Sequence, residues 1–545
     1  MITISPSPTA VKKKKMIDAT TNSPSRLAGA NNRKEVSSSF SSFMTDVNKG
    51  DINKFPNNWN PYPELAKNYD ELVRNTKRKR KGSSMSSYSA ISKLQSALHI
   101  VEPQKEGPLH RIYMCRNSAE RFYSNGISTT TTTTSTQSNN KKKSTTSKKK
   151  KTTTTNYNCR VGLLFGTIQQ ERVDRNQPKK ARTSLSSATS DSEFCTVGKV
   201  QAVWEPPTNQ QQKGDTTSNN KLYNTSLAQK LLAATTTNNN AQQQQRRVLL
   251  IAKYLGLTPI GWIFSYNDER LKDKHDQSIP KLGNNEPQAL LGVDVAVSGS
   301  LQIHNMMNHH HKMKKSKNHQ KNDDEVKENN NEEGEKFVTL AMDATTGATE
   351  AFQVSDVCVQ MIYEDMFEQV FVDPDDSITT GIKNRNPPLV PMRHEVLIDG
   401  KETKMLDSVL CLVNTAMFDH VGSYSRGGSS SGSNSGSNKS SINKSTGSLT
   451  KKTKTKLAKA LLSEGGDGDS SGDDGTFLEL LSDFTTLVGL DQLLVASSSS
   501  KNDDDSNNEN EIRMLCGRVR KWSRGQKQTT HLDATLKRKL LTYLE

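Results

Sequence analysis

The chain has 545 residues, of which 32% are hydrophobic and 6% aromatic, too few to give its whole length a packed core. Its formal charge of +17 invites a nucleic-acid reading, yet the basic residues fall mostly in runs outside the apolar segments: Lys12–Lys15, Lys77–Lys81, Lys141–Lys143, Lys148–Lys151 and Lys451–Lys456. No aromatic residues interleave these runs as a base-stacking platform requires, which argues against sequence-specific nucleic-acid recognition; Lys77–Lys81 and Pro178–Arg182 suit nuclear-import signals or loose phosphate contacts.

Cys115, Cys159, Cys195, Cys358, Cys411 and Cys516 stand singly, with no CxxC, so neither a disulfide framework nor a zinc ribbon is supported and a reducing compartment fits. No apolar h-region follows Lys12–Lys15, and no apolar run reaches the ~18 residues of a membrane span. The expectation is a soluble protein of the nucleus or cytosol.

In chain order, Glu64–Arg74 and Ile91–Ile100 each have the spacing of a short amphipathic helix within an otherwise disordered stretch 1–105. Ser118–Ser124 reads as a helix, Arg160–Ile168 as a strand with glycines, and Thr196–Glu205 as a strand stopped by Pro206-Pro207. Val248, Ile251, Ala252 and Leu255 mark a helix over 246–255, Gly256 ends it in a left-handed turn, and Pro259–Ser265 runs on as a buried strand. Lys336–Met342 and Phe352–Val354 are strands, and Ser355 with Asp356 caps a helix carrying Cys358, Met361, Ile362 and Asp365 on one face. Met392–Ile398, the turn Asp399-Gly400 and Glu402–Val413 form a hairpin with an irregular return. Phe477 to Leu494 repeats apolar residues as one helix over 476–496, a stripe read as core.

Low-complexity composition at 128–156, 179–193, 208–245 and 305–335 predicts disordered insertions in a single domain over 106–423. The same reasoning makes 424–475 a Ser/Gly/Lys linker and 497–510 a disordered break, leaving 511–545 as a basic C-terminal tail with helical character. His304, His309, His310 and His311 fall in the 305–335 neighbourhood and read as part of a solvated loop rather than a metal site.

Several strings occur in a telling order: MCRNSAERFYSNGI, RVGLLFGTI, VQAVWEPP, IAKYLGLTPIGWIF, FVTLAMDATTGATEAFQVSDVCVQMI and FLELLSDFTTLVGL. Over roughly residues 110–495 the chain resembles the nuclear protein localization 4 family. That resemblance implies an α/β MPN-like fold, a curved mixed β-sheet with flanking helices. It implies a non-catalytic protein that takes no cofactor, binds ubiquitin or ubiquitin chains, and partners with a ubiquitin-fusion-degradation cofactor and a valosin-containing-protein-type AAA ATPase. The place of action it implies is the nucleus and cytoplasm, including the cytosolic face of the endoplasmic reticulum, without membrane insertion.

The MPN class also contains zinc isopeptidases, whose chemistry needs two histidines at i, i+2, an aspartate as third ligand, an open position for water and a glutamate base. Carried over by motif, the histidine positions are Phe264 and Tyr266, the following proline is Asn267, the serine is Leu291, the aspartate is kept as Asp294, and the base is Cys159. Four of five functional positions are lost. Trp262 reads as a core anchor, and Cys159 has no assignable His or Asn/Asp partner for nucleophilic chemistry. The chain also departs from the family's zinc fingers: only His99 and His110 precede Cys115 as nitrogen ligands, and Cys516 stands alone after Cys411. The alternatives are a residual metal-dependent deubiquitinase using Asp294 and a basic nucleic-acid-associated nuclear protein. Ubiquitin-binding residues are not assigned.

Overall fold

The computed structural model describes residues 59–67, 98–134, 150–157, 160–172, 194–206, 240–266, 292–319, 334, 336–367, 389–424, 449–463, 475–498, 505–526, 532 and 534–544. All belong to one unit spanning Ser38–Glu545. Twelve strands are found among them: β1 (Arg111–Cys115), β2 (Ile127–Thr134), β3 (Lys150–Tyr157), β4 (Val161–Arg172), β5 (Phe194–Trp204), β6 (Thr258–Tyr266), β7 (Val338–Asp343), β8 (Thr349–Val354), β9 (Leu389–Ile398), β10 (Lys401–Asp407), β11 (Leu412–Asn414) and β12 (Ala416–His420). The helices are α1 (Arg116–Gly126), α2 (Asn240–Leu255), α3 (Gly292–His319), α4 (Asp356–Tyr363), α5 (Lys451–Ser463), α6 (Gly475–Leu481), α7 (Phe484–Ser498), α8 (Asp505–Ser523) and α9 (Ala534–Leu544). The α/β class and the curved mixed sheet with flanking helices are as expected from the sequence.

Eight strands form that sheet in the order β11-β8-β7-β6-β4-β5-β1-β12. The pairs β1/β12, β1/β5 and β6/β7 are parallel and the rest antiparallel. The two edge strands, β11 and β12, are separated only by Thr415, so one short segment supplies both edges and the sheet curls almost closed on itself.

At this seam the side chain of Gln353, 1% exposed, behaves as an extra peptide group. Its amide donates to Leu109 O at 2.6 Å and to Thr415 Oγ1 at 2.8 Å, and its oxygen accepts from Leu109 N at 2.9 Å. A buried backbone pair left without partners costs about 1–3 kcal/mol per group, so Gln353→Leu is expected to lower unfolding stability by about 2–4 kcal/mol. Urea unfolding measures it; a loss under about 1 kcal/mol would mean the seam holds without this clasp.

Each face of the sheet carries its own core, because side chains alternate along a strand. On one face Ile112, Met114, Leu164, Val200, Ile260, Ile263, Val338 and Leu340 pack with Phe122 of α1. The other carries Val161, Leu163, Trp262, Phe264 and Tyr266 beneath the helices. Helix α2 ends as its sequence demands: Gly256 has φ +77°, with Leu257 N donating to Ala252 O at 2.8 Å and Gly256 N to Lys253 O at 3.0 Å. The turn Asp399-Gly400, with φ of 50° and 73°, likewise joins β9 to β10, and the return is irregular, passing through a short 3-10 turn at Ser408–Cys411.

Composition misled in five places, one of them the 208–245 block, whose last residues open helix α2 at Asn240. The 128–156 block supplies both strands of a β2/β3 hairpin, since threonine is β-branched and suits extended backbone. The 305–335 block begins inside α3, which runs to His319. The 424–475 linker contains α5, whose Leu457, Ala460 and Leu461 are buried. The break at 497–510 is entered by α8, which starts at Asp505, so the terminal tail is core: α8 buries Ile512, Leu515, Cys516 and Val519, and α9 buries Leu536, Leu540 and Leu544.

The N-terminal stretches dock on α4, although 63–65 form a turn rather than the expected helix; the rest of both predicted helices lies almost wholly outside the described residues. Tyr363 Oη donates to Trp59 O at 2.6 Å, and their rings meet edge-on at 5.8 Å. Glu364 gathers three donors: Lys67 N at 3.0 Å, Gln360 Nε2 at 2.8 Å and His99 Nε2 at 2.7 Å. Burial pushes the Glu364 carboxyl up, but the hydrogen bonds from His99, Gln360 and Lys67 outweigh it and hold the group below its ordinary value. A depressed carboxyl contributes stability above its unfolded pKa of about 4.3 and loses it as pH falls through the folded value. Amide exchange in 59–67 and 98–101 is therefore expected to accelerate below about pH 4, and Glu364→Gln to produce the same loosening at neutral pH. Unchanged protection in that variant would rule out the latch.

Candidate functional site

The segment from Gly261 to Tyr266 lies at the centre of the sheet, between β4 and β7. Gly261 is required there, because a Cβ would stand 2.2 Å from Val338 O of the neighbouring strand. From Trp262 onward, alternate residues point to the helical side as a ladder of rings. Trp262 and Phe264 stack at 4.9 Å between centroids, and Phe264 and Tyr266 follow at 6.3 Å. All three are buried.

Helix α3 covers this ladder with its first turns. The Trp262 indole donates to Ser298 Oγ at 3.1 Å and Thr339 Oγ1 at 3.0 Å, and Ser298 Oγ in turn donates to Asp294 O at 2.6 Å. Trp262 is thus the core anchor the sequence suggested. Asp294 is completely buried in the first turn of α3. Phe264 and Tyr266, the positions read as those of the histidine pair, build a packed aromatic core, and Ser298 links the backbone of Asp294 to that ladder through the Trp262 indole. Cys159, Asn267 and Leu291 lie outside the described residues.

The other predicted groups go elsewhere. His304, His309 and His310 ride on α3 rather than in a solvated loop, and His311 continues the same helix. The reason is that Leu301, Ile303 and Met306 are all buried, so the apolar side of α3 reaches past residue 305, where composition turns polar. Burial holds the His304 imidazole down to about 4 and hence neutral. It sits ten residues beyond Asp294, about 15 Å along the helix, far outside the ~2 Å reach of a shared zinc ion. Among the described residues no group of three or more His, Cys, Asp or Glu is placed to hold a metal ion.

Among the described residues, Cys115, Cys195, Cys358, Cys411 and Cys516 are buried and form no disulfide. Burial pushes the Cys358 thiol well up, and its hydrogen bond with Cys411 pushes it further, which removes thiolate character.

Two of the motif strings hold the sheet together. Phe352-Gln353-Val354 is strand β8, and Ser355 caps α4 by accepting from Cys358 N. Glu205 forms a partly buried ion pair with Arg160, whose guanidinium burial pulls down to about 10, and Asn125 Nδ2 donates to Glu205 Oε1 at 3.2 Å. Sequence reasoning missed Gln353 and Arg160 as structural residues, because both act across long separations that no local period reveals. The only signal was their position inside the ordered motif strings.

No family model matches the chain. A stretch of 78 residues is 36% identical to an "NPL4-like protein" of Oryza sativa subsp. japonica. That is a partial likeness to the nuclear protein localization 4 family. The match covers 14% of this chain and 16% of the rice protein's own length. Among the described residues no helix is long and apolar enough to cross a membrane.

Proposed function

We propose that the protein is a non-catalytic, ubiquitin-binding adaptor on an MPN-like scaffold. It helps deliver ubiquitinated proteins to a valosin-containing-protein-type AAA ATPase for unfolding and proteasomal degradation, including degradation at the cytosolic face of the endoplasmic reticulum. Its other partner is a ubiquitin-fusion-degradation cofactor, and it works in nucleus and cytoplasm.

The observation that carries this reading is the aromatic ladder at Phe264 and Tyr266. A hydrolase needs an open, polar position for its water, and these positions are filled by stacked rings beneath α3. The partial likeness to the rice protein supports the family, and hence the partners.

Pull-down of the full chain with ubiquitin chains, the degradation cofactor and the AAA ATPase tests the proposal. Retention of ubiquitin chains together with either other partner is expected, and failure to retain any of the three sinks it. Metal analysis of the purified chain separates it from the metalloprotease reading, which demands one zinc per molecule.

A further inference from the structure

The Lys451–Lys456 run belongs to α5, and α5 packs against α9. Neither helix contains an acidic residue. In α5 the inward side is set by Leu457, Ala460 and Leu461. At about 100° per residue, Lys452, Lys456 and Lys459 then follow one another up the opposite side, spanning about 10 Å. All three are exposed, as is Lys451. In α9 the buried Leu536, Leu540 and Leu544 turn Arg538 outward. None of these five cations has a carboxylate partner among the described residues, whereas Lys539 on the inner flank of α9 pairs with Glu511 at 2.5 Å.

Such a face is self-repelling. Lysines at i, i+4 and i, i+3 oppose one another, and those in the first turn of α5 oppose the positive end of the helix dipole. An anionic ligand would relieve both. We infer that the outward face of α5 and α9 docks an acidic segment of a partner polypeptide, a run rich in Asp and Glu. A polypeptide suits the surface better than a nucleic acid on two grounds. Leu462, 64% exposed on α5, adds apolar contact for a side chain. No exposed aromatic residue lies on either helix to stack a base.

The test uses the full chain and a labelled poly-glutamate peptide, with a single-stranded oligothymidylate of equal charge as comparison, followed by fluorescence anisotropy at low and physiological salt. The peptide is expected to bind more tightly than the oligothymidylate. The quadruple variant Lys452→Glu, Lys456→Glu, Lys459→Glu, Arg538→Glu should weaken the peptide at least about tenfold. Reversing the Lys77–Lys81 run should change it less than about twofold. A parallel Lys→Gln, Arg→Gln version, matched to the parent by thermal melting, separates loss of binding from loss of folding. Four results overturn the inference: no peptide binding by the parent chain; equal losses from both basic regions; tighter binding of the oligothymidylate with the same sensitivity; or peptide binding only after Asp467, Asp469, Asp473 and Asp474 are replaced by Asn, which makes the chain's own acidic stretch the occupant.

Discussion

Replacing Phe264 and Tyr266 together by histidine, the change that restores the ligand pattern of a zinc isopeptidase, is expected to destabilise the protein by about 3–5 kcal/mol and to recruit no zinc. Phe264 is fully buried and shares its faces with Trp262 and Tyr266. Exchanging a phenyl for an imidazole there gives up about 1.5–3 kcal/mol of apolar burial and about 0.5–1.5 kcal/mol of ring contact. It also places ring nitrogens where the surroundings are hydrocarbon, at about 1–3 kcal/mol for each group left unmet. Zinc would have to recover all of this while Asp294 alone offers a third ligand from α3. Thermal unfolding with and without zinc, with metal analysis of the same samples, measures both halves. A double variant that melts with the parent and takes up one zinc per chain would show that the ladder is a lightly altered metal shell, and the pseudoenzyme reading would fall.

What was legible in the sequence was whatever a local rule governs. Gly256 had to be a left-handed cap because a helical period stops at Leu255 and a strand begins three residues on; Asp399-Gly400 had to be a tight turn between two apolar runs. The buried strand around Phe264 and Tyr266 was readable because it keeps Gly261, which the approach of Val338 O demands, and Trp262. Less legible was anything in which composition and period disagreed. Leu457, Ala460 and Leu461 have helical spacing, but lysines hide it, and Ile512, Leu515, Cys516 and Val519 carry the same i, i+3, i+4, i+7 signal inside a basic tail. Both cases favour weighing the spacing of a few apolar residues above the polarity of those between them. Long-range polar ties were not legible at all: Gln353 completes the seam through Leu109, 244 positions away, and no pattern within a window could announce it.

Asp483 is where the two kinds of information collide, and its replacement by alanine is expected to remove about 3–5 kcal/mol. The apolar stripe from Phe477 to Leu494 reads as one helix, yet the structure breaks it at Ser482-Asp483 into α6 and α7. The carboxylate explains the break. Oδ2 accepts from Thr485 Oγ1 at 2.6 Å and Thr486 Oγ1 at 2.7 Å, and Asp483 O accepts the amides of Thr486 and Leu487, which starts α7 afresh. Oδ1 pairs with Arg121 of α1, so the same residue ties the C-terminal helices to the body of the sheet. Burial pushes Asp483 up, but the Arg121 guanidinium and the two threonine hydroxyls overcome that and hold it below the usual carboxylate range. Its contribution is accordingly complete at neutral pH and is lost as pH falls through the folded value, below an unfolded pKa of about 3.9. Asp483→Asn separates the parts: it keeps one oxygen for the threonines and removes the charge opposite Arg121, so its loss should be smaller than that of Asp483→Ala and nearly independent of pH between neutrality and about pH 4. Urea unfolding of parent and both variants across that range decides the matter. Equal losses for Asn and Ala would assign the effect to the ion pair alone. Negligible losses for both would mean that Phe484, in tilted ring contact with Phe165 at 5.3 Å, docks α7 without help from the carboxylate.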